Sequence, residues 1–164
     1  MTLMQQPAAE VFECTKSPPS GRLLGTGLKF QDLRCVAWSE AATRPGIVLY
    51  VMQPDTTLKA FWNYPSIQTG LGTGEASLQA GSGSNPIGGT YDITYSSPEG
   101  SKQSFTLRIE RTQGTRYALS WKQHKEDKEP MLTGVGEWLE DRKMLVGAWD
   151  TPNKKLSVEF QVEA

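Results

Sequence analysis

Glycine, proline, asparagine and aspartate interrupt this chain so often that no helical period establishes itself between them. Between the interruptions, apolar and polar residues alternate with a period of two, the mark of strands with one buried and one wet face. Strands are expected over AEVFEC (9–14), RLLGTGLKF (22–30), LRCVAW (33–38), GIVLYVMQ (46–53), TLKAFWN (57–63) and GTGEASLQ (72–79). They continue over GTYDITYS (89–96), QSFTLRIE (103–110), RYALSWKQ (116–123), MLTGVGEWL (131–139), KMLVGAW (143–149) and KLSVEFQV (155–162). The segments SPPSG (17–21), YPSIQTG (64–70), AGSGSNPIG (80–88) and SPEGSK (97–102) have turn chemistry, with glycine supplying positive φ and proline fixing φ at a negative value. Connections this short favour antiparallel neighbours, because parallel strands need crossovers of about a dozen residues. The expected fold class is all-β, an antiparallel up-and-down β-barrel of about eight to twelve strands, with a β-trefoil or a β-sandwich as alternatives.

With 164 residues the chain suits one domain, 1–164. Lys and Arg number 17 against 18 Asp and Glu, so no net field would gather nucleic acid. The absence of any apolar run of about 18 residues argues against membrane insertion. MTLMQQPAAEVFECTK lacks a basic segment followed by an apolar one, so a cytoplasmic location is expected, a secreted form without its signal being the alternative. Cys14 and Cys35, the two cysteines, are too few for a thiolate metal site. They read as buried free thiols or as one disulfide, and no metal or cofactor is expected.

One sentence is written twice. LLGTGLKFQDLRCVAW (23–38) meets an echo in LTGVGEWLEDRKMLVGAW (132–149), and the flanking strands repeat too: VFEC and GIVLYV on one side, YALSW and KLSVEF on the other. Pseudo-repeats are therefore expected over 9–53 and 115–162, with a weaker third copy of the glycine pair at Gly72 and Gly74. Gly-x-Gly inside a strand relieves crowding or lets a bulky aromatic lie against the backbone, and Trp38 and Trp149 are natural covers. A phosphate cradle would need a helix start just after the glycines.

LRCVAW and KMLVGAW are apolar on both faces, so something covers the second face: an interior ligand cavity, a protein partner, or the chain's own terminal segments. Five Trp and five Tyr supply flat amphipathic surface of the kind that holds ligands. The candidate ligand-binding residues are Trp38, Trp62, Tyr91, Tyr117, Trp121 and Trp149, with Glu75 beside Gly74 in a small-residue strand. The single histidine, His124, sits in the charged run KQHKEDKEP (122–130), which reads as a solvated hairpin tip, and no catalytic residue is assigned.

The elements GTYDI (89–93), LRI (107–109), YALSW (117–121), GVG (134–136), MLVGAW (144–149) and VLY (48–50) together resemble bacterial proteins built from calycin-like or avidin-like β-meanders. That resemblance implies a barrel that holds small apolar molecules, although twelve strand candidates exceed the eight of the avidin pattern. The expected function is noncatalytic binding of a small apolar or aromatic ligand, or of a protein partner, on a Trp- and Tyr-rich barrel surface. One alternative is a barrel-type cyclase or isomerase acting on an apolar substrate through Glu75, Tyr91 or Tyr117. The other is a structural protein whose apolar second face seals a homo-oligomer.

Overall fold

The structure, a computed structural model, describes residues 9–17, 21–40, 43–64, 71–79 and 86–163. Twelve strands run through them: β1 (Ala9–Lys16), β2 (Leu23–Phe30), β3 (Leu33–Ser39), β4 (Gly46–Met52), β5 (Leu58–Asn63), β6 (Gly72–Leu78), β7 (Gly89–Ser96), β8 (Lys102–Gln113), β9 (Arg116–Lys122), β10 (Leu132–Leu139), β11 (Met144–Asp150) and β12 (Leu156–Val162). Every segment expected from alternation carries its strand, and the described residues contain no helix. The largest difference in bounds is at β8, which continues past residue 110 to a register shift between Arg111 and Gln113.

Strands β4 to β11 pair antiparallel in chain order, and β11 closes on β4. This is an eight-stranded up-and-down barrel, and neither a trefoil nor a sandwich. The surplus over eight forms a separate four-stranded antiparallel sheet in the order β1-β2-β3-β12. One sheet face packs on the outer wall of the barrel, where Leu28, Leu33, Cys35 and Ala37 meet Ile47, Leu49, Val146 and Ala148 in one apolar cluster. Alternation sends Val48, Tyr50 and Leu145 of the same barrel strands inward to a second cluster. The two-faced strand KMLVGAW thus has one face in the barrel and the other under the sheet. Of the covers weighed for that second face, the chain's own terminal strands provide it.

The fourth strands of the two echoed segments are exchanged. β3 pairs with β12 and β11 with β4, so that Trp38 faces Ser157 as Trp149 faces Gly46. The backbone repeats one contact across the exchange: Met52 N–H donates to the Lys143 carbonyl at 2.9 Å and Glu163 N–H to the Asp32 carbonyl at 2.7 Å. Arg142, in the turn of one echoed hairpin, donates twice to the Asp32 carboxylate in the turn of the other, at 2.6 and 2.9 Å.

The glycines serve as beds for rings. Gly25 is paired across the sheet with Trp38, Gly27 with Phe12, Gly46 with Trp149 and Gly72 with Trp62. In each pair a Cβ on the glycine would lie within 2.7 Å of the partner's ring. The two hairpins share the pairing of Gly25 with Trp38 and Gly134 with Trp149, yet the Trp149 ring lies over Gly46, not over Gly134. Gly46→Ala is expected to cost about 1–3 kcal/mol, because the new methyl group would occupy the space of the Trp149 indole, 2.0 Å from Cε2. Gly88→Ala, whose Cβ would meet nothing closer than 3.5 Å, serves as the control and is expected to be neutral or slightly stabilising in the same urea titration.

Cys14 and Cys35 are both free. Cys14 lies beside Gly25 and Trp38 on the outer sheet face, while Cys35 belongs to the core between sheet and barrel, so their side chains point apart and the disulfide alternative is excluded. Burial pushes the Cys35 thiol up to about 12 and raises that of Cys14 as well, which keeps both protonated at neutral pH.

Candidate functional site: an aromatic cavity in the barrel end

Side chains fill the barrel along most of its length, among them Tyr50, Leu58, Tyr91, Ile93, Leu107 and Leu119, and among the described residues no buried one is charged. The filling stops where β9 ends and β10 begins. There a cavity of about 250 Å³ is lined by Trp62, Tyr95, Phe105, Trp121, Leu132 and Trp149, with Ser97, Ser101, Lys102 and Gln103 also on its lining.

Each wall residue is held by its own strand register. Trp62 lies over Gly72, and its indole N–H donates to the Thr73 carbonyl at 2.8 Å, fixing the ring plane. Trp149 lies over Gly46 and stacks on Tyr64 at a centroid separation of 5.3 Å. Tyr95 meets Trp62 edge-on at 6.0 Å and Phe105 at 5.9 Å. The floor is polar at one point, where Trp121 donates its indole N–H to the Tyr95 hydroxyl at 2.7 Å and the Tyr50 and Tyr95 hydroxyls lie 2.6 Å apart. Burial raises the pKa values of both tyrosines well above the ordinary phenol value, so both are neutral hydroxyls throughout the physiological range. Phenols held in that form are poor bases, and among the described residues of the cavity lining there is no carboxylate.

Three of the residues expected from sequence, Trp62, Trp121 and Trp149, meet in this cavity. The others do not join them. Tyr91 and Tyr117 point into the barrel nearer its opposite end, both buried, with Tyr91 donating to the Ile87 carbonyl at 2.7 Å and burial pushing its hydroxyl up to about 12. Trp38 lies on the outer face of the four-stranded sheet, where its N–H donates to Glu159 at 2.7 Å and the Lys16 ammonium sits 4.4 Å above the ring. The expectation that Trp38 shares a surface with Trp121 and Trp149 is therefore corrected: β3 belongs to a different sheet from β9 and β11. Glu75 is exposed on the outer barrel wall opposite Lys59, in a wide groove of about 590 Å³ whose other lining residues include Asp92, Thr94 and Ser104. A carboxylate there is separated from the aromatic cavity by the sheet itself. His124 is exposed in its hairpin tip, its backbone N–H held by Asp127 at 3.1 Å.

Tyr50, Tyr95, Phe105 and Leu132 were not anticipated. The signal for Tyr95 is in GTYDITYS, where alternation puts it on the face of Tyr91 and Ile93. Compared with models of protein families, with curated proteins and with solved structures, the chain matches none.

Proposed function

We propose that the protein is a noncatalytic binding protein that holds one small apolar or aromatic molecule in the barrel-end cavity. The observation that carries the reading is the convergence of three indoles, a phenol and a phenyl ring on one open space with a neutral hydroxyl network at its floor. Ligand sites are concave, mostly apolar and fixed by a few placed polar groups, which is the chemistry of this lining. The eight-stranded meander agrees with the resemblance to calycin-like and avidin-like barrels, in which the barrel holds the ligand. The cyclase or isomerase reading loses its carboxylate, since Glu75 is on the outer wall.

Removing a ring-sized ligand from water contributes several kcal/mol at about 25 cal/mol per Å² of apolar surface, less the cost of association, so micromolar dissociation constants are the natural scale. Titration with small aromatic probes is expected to change tryptophan emission saturably. Leu132→Trp, which fills the cavity from its wall, is expected to abolish the change while far-ultraviolet circular dichroism stays the same. Saturable binding that survives Leu132→Trp would place the site elsewhere.

A further inference from the structure

The floor of the cavity carries one more proton than it has places for. Trp121 N–H, Tyr50 O–H and Tyr95 O–H are three donors; the first is directed to the Tyr95 oxygen, and a single proton occupies the 2.6 Å contact between the two hydroxyls. One phenolic proton remains, and among the described residues no protein acceptor takes it. Which proton it is follows from burial. Tyr50 is fully buried and does not line the cavity, so its proton must go to Tyr95, its hydroxyl partner. Tyr95, which does line the cavity, then accepts two hydrogen bonds and has its own proton left to donate.

We propose that the ligand is a neutral aromatic carbonyl compound, a small ketone or aldehyde whose oxygen accepts the Tyr95 hydroxyl proton while its ring lies among Trp62, Trp121 and Trp149. This rests on the binding reading above and narrows it. Water takes this proton in the unliganded cavity, but a hydrocarbon that displaced the water would leave the donor without an acceptor, so a ligand that supplies an acceptor is favoured. At the floor a carboxylate would lose its hydration for one hydroxyl donor, since Lys102 is an exposed lining residue outside the floor's hydrogen-bond network, and an ammonium would find no acidic residue among the described residues of the lining. An alcohol would bring a further proton needing a partner, whereas a carbonyl accepts and brings none. A volume of about 250 Å³ lies just below the usual range of drug-sized sites, which suits one ring with a short substituent.

The test is a cycle of two ligands and two proteins, using acetophenone and its hydrocarbon isostere α-methylstyrene against the wild-type chain and Tyr95→Phe. The ratio of their dissociation constants is expected to shift by about tenfold against acetophenone in Tyr95→Phe, where the Tyr50 oxygen can take over the Trp121 N–H. Infrared spectroscopy supplies a measurement on the wild-type protein alone: the carbonyl stretch of bound acetophenone is expected below its position in an apolar solvent. If both probes bind, an unchanged ratio or an unshifted stretch overturns the carbonyl assignment and leaves the cavity reading standing. If neither binds at millimolar concentration, the cavity reading falls and this one with it.

Discussion

Trp121→Ala is expected to lower the free energy of unfolding by about 3–5 kcal/mol and to abolish ligand binding in the barrel end. Trp121 is almost fully buried at the end of β9, belongs to the barrel core and forms part of the cavity floor. Truncation removes the indole and joins its space to the existing cavity, leaving a void that the surrounding strands cannot close because each is pinned by pairs on both sides. The hydrogen-bond loss is smaller, since the Tyr95 oxygen still accepts from Tyr50. Trp121→Phe separates the two effects: it keeps a ring and removes the N–H, so its cost is expected to be well under that of the alanine variant. Against a total stability of about 5–15 kcal/mol, both variants should remain folded at low temperature, and urea titrations give the differences directly. A loss below about 1 kcal/mol for the alanine variant would mean that the indole does not seal the floor.

Leu49→Ala is expected to cost about 2–5 kcal/mol and to leave unfolding a single transition. Leu49 is fully buried on the outward face of β4, against Leu28, Leu33 and Cys35 of the sheet and Val146 of β11. Its chain neighbours Val48 and Tyr50 point into the barrel. A strand shared in this way ties the two cores together, so weakening the outer one should lower the midpoint of both. Tryptophan fluorescence and far-ultraviolet circular dichroism are expected to give coincident transitions. If the variant instead unfolds in two steps, the sheet peels from an intact barrel and the coupling is absent.

The strands were legible because alternation and turn chemistry are local. QSFTLRIE and YALSW show their inward rows, Phe105, Leu107, Ile109 and Tyr117, Leu119, Trp121, without reference to any partner, and both rows face the barrel interior. That rings need bare backbone to lie on was legible in part: the Trp38 ring lies over Gly25, whereas the Trp149 ring lies over Gly46 and not over Gly134. Three of the lining residues, Trp62, Trp121 and Trp149, could be named for the same reason, since a tryptophan on an apolar row of a strand end is visible in the residue order. Tyr95, Phe105 and Leu132 were not singled out, because each belongs to the site only through the strand beside it.

What the sequence alone determined is therefore the composition of each strand face: which residues point together, where the chain turns, and that two segments are apolar on both sides. Only the tertiary structure decided where pairing in chain order breaks. The written order would set β3 beside β4 and β11 beside β12, yet the fourth strands change places, closing eight strands into a barrel and leaving four as the sheet that covers it. That exchange removes Trp38 from the site and brings Trp149 to Trp62 across β4. The physical reason is that strand pairing is made by backbone groups, which every residue carries alike, so the choice of partner rests on burying all apolar faces at once, and no single strand contains that information.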